Sequence, residues 1–471
     1  MIVFLETLGC SRNQVDSEIM LGKLMAAGHQ RTDDPALAEV IIVNTCGFIS
    51  TASDEAVEVI LEMAGFKENG ACQRLIATGC LAQRYKDDAG LLASLPEVDA
   101  FLGTAACEQI VDVVEGTQSP LTLFPDPNLR GFQDLTVDRE LISTGFAYIK
   151  VSEGCNRHCT YCIIPQLRGT QRSRPVADIC TEAAAFVAKG IKEIILTAEN
   201  TTDYGQDLVA GSIGQGSVGI DSDCIDPNCI ESDCIGCGRT GLDTVLSSLS
   251  KTLAAQDETV WIRFLYTHPK TLGADIIKVI QSHDNICAYY DVPIQHAATS
   301  MLKRMGRPYT QEELIALFKL IRKLDPGASL RTTLIVGFPG ETEEEFQILK
   351  EFIETVQFDH LGVFTYSDSD DLKSHGFKDH VPKYIAEQRH DIIMAAQAKI
   401  SEQVNKRHVG KIYPVLVEEN PEQGVYIGRT QFQAPEVDGM TFIYSKGLEI
   451  GSIVPVRITD AYEYDIAGEM E

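Results

Sequence analysis

Three cysteines stand close together in "EGCNRHCTYC" (153–162): Cys155, Cys159 and Cys162, spaced C-x-x-x-C-x-x-C. Two of these thiols could form a disulfide with one spare, or all three could hold a metal. A structural zinc site normally takes four protein ligands in two pairs, and no second pair follows here at zinc-finger spacing. Iron–sulfur clusters are held by cysteine thiolates, usually four. A cubane with only three leaves one iron open to a substrate or cofactor. A second set of thiols, Cys10, Cys46 and Cys80, is scattered, yet each closes an apolar run: "LGC", "NTC" and "TGC".

The elements that must position these residues follow from the apolar pattern. "MIVFLETLGC", "AEVIIVNTC", "RLIATGC" and "VDAFLGT" read as buried strands separated by helical stretches, which predicts a parallel, helix-covered sheet. In the first helix Asp16 or Ser17 is the expected cap, with Ile19, Met20, Leu24 and Met25 on one face and an end near Gly28. Strand C-termini of a parallel sheet share one edge, where ligands gather. Cys10, Cys46 and Cys80 could therefore meet at one metal site; the alternative is three small buried residues at strand ends. Cys72 and Cys107 lack this placement and read as structural. Residues 106–143, with "SPLTLFPDPNLRGF", read as a connector. Beyond it "FAYIKVSEGC", "KEIILTAEN", "VWIRFLYTHP", "ICAYYDVPIQH", "LRTTLIVGFPG" and "HLGVFTYS" fit a full or open β/α barrel with its chemistry at the strand C-termini. "KIYPVLVEE", "GVYIGRTQ", "TFIYS" and "SIVPVRITDAYEYDIAGE" predict a small antiparallel β-barrel. The expected α/β organisation is 1–110, a linker 111–143, a barrel domain 144–400 and a β domain 407–471.

Bulk properties narrow the setting. The chain has 471 residues, too many for one ordinary core, and no apolar run long enough to span a membrane. "MIVFLETLGC" reads as a strand, not a signal peptide, so a cytoplasmic location is expected, where thiols stay reduced. The formal net charge of −28 argues against a large nucleic-acid footprint and suits a basic partner.

The cysteine motif, with Tyr161 before its last thiol and a predicted strand ahead of it, resembles the radical S-adenosylmethionine (SAM) enzymes. With the N-terminal trio and the C-terminal β domain, the chain resembles the methylthiotransferases of the RimO type. "LGCSRNQVDSE", "NTCGFI", "TGCLAQRY", "EGCNRHCTYCIIPQLRGTQRSRP", "TTDYGQDL", "RTTLIVGFPGETEEEF", "APEVDG" and "YDIAGE" carry that resemblance. It implies an N-terminal methylthiotransferase domain, a TIM-like radical SAM barrel and a TRAM domain. It implies two 4Fe-4S clusters: an auxiliary one on Cys10, Cys46 and Cys80, and a SAM-chelating one on Cys155, Cys159 and Cys162. Tyr161, Glu199, Gly337 and Phe338 would join the cofactor site; Glu199 and Asn200 stand where the pattern has Gln-Asp. The implied reaction is methylthiolation of the β-carbon of an aspartate in small-subunit ribosomal protein S-twelve. SAM would be radical source and methyl donor, with electrons from a carrier such as flavodoxin or ferredoxin and sulfur from a donor left open. The sister branch modifies tRNA adenosine. From 408 to the end there are four basic residues, Lys411, Arg429, Lys446 and Arg457, against eleven acidic ones. That balance disfavours tRNA and suits a basic ribosomal protein.

Other features carry two readings each. "GFPGETEEEF" is either a turn with a Thr342–Glu345 capping box or a segment beside the cofactor. Arg168, Arg172 and Arg174 could contact SAM or substrate, or form surface ion pairs. His268 and His296 end predicted strands and could face the cavity or be structural. A Cys-rich insertion (208–241) places Cys224, Cys229, Cys234 and Cys237 in a near repeat that is either low-complexity surface or a further metal site.

Overall fold

Apolar runs that do not alternate form strands covered on both faces. In the computed structural model, which describes residues 1–116, 122–132, 138–210 and 241–471, the first such runs make a six-stranded sheet. Its order is Gln30–Arg31, Ile2–Thr7, Val40–Thr45, Arg74–Gly79, Ala100–Leu102, Thr122–Leu123, with every ladder parallel. Met20 and Leu24 of the helix Ser11–Ala26 cover one face, against Val3, Val40 and Ile42. Ala56, Ile60 and Met63 of Ser50–Ala64 cover the other. Two strands exceed expectation. Gln30–Arg31 and Thr122–Leu123 are two-residue edge strands without an apolar run, and the second lies within the stretch read as a connector.

The first helix also starts earlier than expected. Cys10 is its N-cap and Ser11 its first residue, so Asp16 and Ser17 are interior. Neither serves as a cap, because both are buried and bonded to other elements.

The six central runs form parallel strands in chain order. Phe146–Lys150, Glu193–Thr197 and Trp261–Phe264 make one sheet; Tyr289–Asp291, Ser329–Val336 and His360–Thr365 make another. A parallel bridge, Ile262 to Ile286, joins them. Among the described residues the first and last strands are not paired, so the barrel is open. Its helices pack outside, with Ile179, Phe186, Leu249, Phe318, Leu349 and Ile353 in one continuous core. Its inner face is filled by the neighbours: Val15 and Ile19 from the first helix, and Leu416 and Ala434 from the C-terminal domain, meet Tyr148, Trp261 and Tyr289.

Five strands close the C-terminal barrel: Ile412–Glu422, Val425–Thr430, Thr441–Tyr444, Ile466–Met470 and Ile453–Ala461. Four of its ladders are antiparallel, but Thr441–Tyr444 and Ile466–Met470 run parallel, a departure from the all-antiparallel expectation. The "APEVDG" loop docks this barrel: Asp438 accepts from Tyr289 Oη at 2.6 Å and pairs with Arg331 at 3.3 Å. The Cys-rich insertion lies outside the described residues apart from its ends.

Candidate active site

Cys10, Cys46 and Cys80 follow three strands that are neighbours in the sheet, so their thiols share one edge. Cys10 caps the first helix, Cys46 follows Thr45, and Cys80 opens the short helix Cys80–Arg84. Local backbone explains the Gly-Cys pairs. Gly9 has φ +93°, and a Cβ there would lie 2.7 Å from Cys46 Cβ and 3.1 Å from its Sγ. Gly79 has φ +95°, with Asn44 Oδ1 at 2.4 Å from the same hypothetical atom. Each chain must turn sharply from strand to thiol in space that only glycine leaves open. The same step recurs at Gly154, before Cys155.

Asn13 stitches the three loops together. Its Nδ2 donates to Leu8 O at 2.9 Å and Thr45 O at 3.0 Å, and its Oδ1 faces Cys80 Sγ at 3.8 Å. Arg168, from the helix that follows the second cysteine motif, donates to Asn13 Oδ1 at 2.6 Å and Cys80 Sγ at 3.6 Å. Burial pushes the Cys80 thiol up to about 11, against the opposing pull of Arg168. Burial also penalises a Cys10 thiolate, but Arg12 and Arg168 outweigh it and hold Cys10 below its ordinary value. Cys46 is raised by burial and by the Cys10 charge. The three thiols thus feel one another and two arginines.

The second trio sits on a clamped loop. A two-residue antiparallel ladder, Ser152 to Ser173 and Glu153 to Arg172, closes its base. Arg157 grips Asp203 through two bonds of 2.8 and 2.7 Å. Thr160 N donates to Met305 O at 3.0 Å, and Tyr161 stands edge-on to Phe338, centroids 6.4 Å apart. Burial raises Cys155 to about 11 and Cys162 to about 12, with the neighbouring thiols adding to both.

The two trios face each other across the domain boundary. Cys80 packs with Ile163, next to Cys162, and with Leu167 and Leu372. Ser11 Oγ meets Thr197 Oγ1 at 2.9 Å, and Arg12 donates to Ala198 O at 3.0 Å, at the end of a central strand. Arg12 Nε lies 3.7 Å from Glu199 Oε1. The side chain of Glu199 is buried with neither carboxylate oxygen hydrogen-bonded, and burial, then the Glu153 charge, raises its pKa. Asn200 Nδ2, His268 Nε2 and Arg307 Nε are likewise buried without hydrogen-bond partners. His268 is held neutral, down to about 2, by burial and by Arg307 and Arg157. Its Nδ1 accepts from Lys270 N, so Nε2 carries the proton. These unsatisfied donors and acceptors beside the second trio fit a polar cofactor with amino, carboxylate and heterocyclic groups, as SAM has.

Gly337 and Phe338 are placed differently. A Cβ on Gly337 would lie 2.4 Å from Ala386 Cβ, so its openness admits the helix Lys383–Asn405. Phe338 is fully buried among Tyr161, Tyr366 and Phe377 and supports the cysteine loop from below. Arg168 and Arg174 are not surface residues: both are buried in ion pairs, with Glu153 and Asp16, and with Glu182. His296 is structural, its Nδ1 accepting from Ala298 N at 3.0 Å. Asn13 and Arg12 escaped the sequence reading, although both lie in the quoted "LGCSRNQVDSE". Among the described residues no three Cys, His, Asp or Glu side chains converge closely enough for a single ion. A zinc ion with sulfur at about 2.3 Å needs thiolates packed that tightly, whereas a cubane offers each thiolate its own iron.

Family models match in the same order as the domains. The uncharacterized protein family UPF0004 covers residues 2–103, the Radical SAM superfamily 149–353 and the TRAM domain 409–470. Fold and site therefore define a radical SAM protein with an N-terminal cysteine domain and a TRAM module. A relative from Desulfosudis oleivorans, "Ribosomal protein uS12 methylthiotransferase RimO", is 45% identical over 100% of both chains. One of the same name from Clostridioides difficile is 40% identical over 99% of this chain and 98% of its own. The chain belongs to the RimO family of ribosomal protein uS12 methylthiotransferases. Among solved structures, the radical SAM methyltransferase TsrM from Kitasatospora setae, bound to tryptophan and a SAM analogue, matches with TM-score 0.52 at 13% identity. That match covers 89% of this chain and 79% of TsrM and speaks to the fold alone.

Proposed function

We propose that this chain is a radical SAM methylthiotransferase that replaces a hydrogen on the β-carbon of an aspartate in ribosomal protein uS12 with a methylthio group. The observation that carries the reading is the meeting of two all-cysteine trios, one from each domain, across a seam lined by Arg12, Arg168 and Glu199. Cys155, Cys159 and Cys162 would hold the SAM-binding 4Fe-4S cluster, and Cys10, Cys46 and Cys80 the auxiliary one. When bound, the first supplies an open iron for SAM and the electron for its reductive cleavage, and the second serves sulfur delivery.

The chain's own residues do the positioning. Arg157 and Thr160 hold the cysteine loop, with Tyr161 resting on Phe338. Glu199, Asn200 and His268 present unused polar atoms to the cofactor, while Gly337, at the end of Ser329–Val336, makes room for the helix Lys383–Asn405. Electrons would come from a low-potential carrier such as flavodoxin or ferredoxin. The cytoplasm is the proposed setting, where thiols remain reduced; no helix of the described residues is long and apolar enough to cross a membrane.

The protein substrate is favoured over tRNA by the C-terminal barrel. Of its four cations, Arg429 is buried against Glu418 and Glu193, and Arg457 pairs with Glu471. Little basic surface is left for phosphates. Mass spectrometry of uS12 from cells lacking and then regaining the gene tests the proposal. The methylthio mass should vanish and return on one aspartate; an unchanged mass contradicts it.

A further inference from the structure

We infer that Arg168 is a positioning residue that sets the reduction potential of the N-terminal cluster from the opposite domain. The inference rests on the assignment of Cys10, Cys46 and Cys80 to that cluster. Arg168 ends the helix Ile164–Arg168, just past Cys162, yet its side chain reaches the N-terminal domain. One nitrogen, Nη2, is shared between Asn13 Oδ1 at 2.6 Å and Cys80 Sγ at 3.6 Å. The other, Nη1, donates to Asp16 Oδ2 at 2.7 Å and Glu153 Oε1 at 3.1 Å. Glu153 lies two residues before Cys155, so one side chain touches a thiol of the first trio and the base of the loop that carries the second.

An arginine needed only for the domain seam would satisfy its fork on the two carboxylates. Here half the fork is turned to a sulfur and to the amide that organises the three loops. The guanidinium is permanently charged, planar and fully enclosed. Hydrogen bonds to cluster sulfurs and local charge are the protein's means of tuning an iron–sulfur potential. A cation donating to the sulfur stabilises the more negative, reduced cluster and raises its potential. Because Arg168 is anchored on Glu153, the N-terminal cluster reaches that potential only when the cysteine loop of the barrel is seated.

The test uses the full chain with Cys155, Cys159 and Cys162 all changed to Ala, so that only the N-terminal trio can load. After anaerobic reconstitution, iron and sulfide are counted and the midpoint is measured by potentiometry with electron paramagnetic resonance. Arg168→Gln on this background should keep its iron but shift the reduced-to-oxidised ratio at fixed potential at least tenfold toward oxidised, about 59 mV for a one-electron couple. Arg168→Lys, which keeps the charge and loses the fork, should fall between. Equal midpoints at equal iron content in all three proteins overturn the inference. Where the Gln variant does not load, the Lys variant decides: a midpoint below that of Arg168 supports the role, and an identical one refutes it. A background protein that holds no iron overturns the cluster assignment itself, and the inference with it.

Discussion

The cysteines depend on the glycines beside them. In "LGC", "TGC" and "EGC" the thiol follows a residue at φ between +80° and +95°, in space already occupied by a neighbouring loop. Gly9→Ala would force an L-residue into that backbone, costing about 1–2 kcal/mol, and would drive its methyl group into Cys46. The expected result is selective loss of iron from the N-terminal trio. Iron analysis should show about half the wild-type content, with reductive SAM cleavage retained; full iron content would show that Cys46 can move aside. The Gly-Cys pairs and strand-end positions were readable from one sequence, because strand exit and glycine are local signals. Asn13 was not, and Arg168 was legible only as a cofactor or substrate contact or a surface ion pair, since the two lie 155 residues apart and polar residues on a helix face look solvated until a second domain covers them.

The first helix is the element that joins the two sites. The single apolar face expected of Ile19, Met20, Leu24 and Met25 is divided in the structure, because both sides of the helix are buried: Met20 and Leu24 meet the sheet, and Val15 and Ile19 meet the barrel. Asp16, which looked like a cap, instead accepts from Lys150 at 2.8 Å, Arg130 at 2.9 Å and Arg168 at 2.7 Å. Burial opposes its charge, but the three cations outweigh that cost and keep it ionised well below the ordinary carboxylate range. Removing one member of a buried ion network costs about 3–5 kcal/mol. Asp16→Asn should therefore lower the thermal midpoint by several degrees and expose the seam to limited proteolysis; an unchanged midpoint would mean the network is dispensable. The six barrel strands were legible as apolar runs with turn signals. The two-residue edge strands were not, since pairing at a sheet edge needs backbone rather than side-chain pattern.

At the scale of the whole molecule, the N-terminal and C-terminal domains both pack on the central barrel, the C-terminal one through Leu416 and Ala434 and through the polar contacts of Asp438. His408 stands at that junction, stacked on Phe432 at 4.2 Å and bonded to Tyr413 Oη at 2.8 Å. Burial, with help from Lys411, His360 and Arg407, lowers it to about 4. An unfolded histidine takes up its proton near pH 6.5, so the unfolded chain binds it first. Stability from this group is present above pH 6.5 and is lost as pH falls toward 4. His408→Phe, which preserves the stack, should shrink the difference in thermal midpoint between pH 7.5 and pH 5; an unaltered difference would remove His408 from the account. The acidic character of the terminal domain was visible in composition, whereas its docking through Asp438 was not, because a single Asp in a loop carries no sign of its distant partners. The proposed chemistry needs two separate clusters, and iron and sulfide content of anaerobically reconstituted protein tests for them most directly. Cys46→Ala and Cys159→Ala should each lose about four irons, with the remaining four intact and both lost in the double variant. Loss of all iron in either single variant, or of none in both, would contradict it.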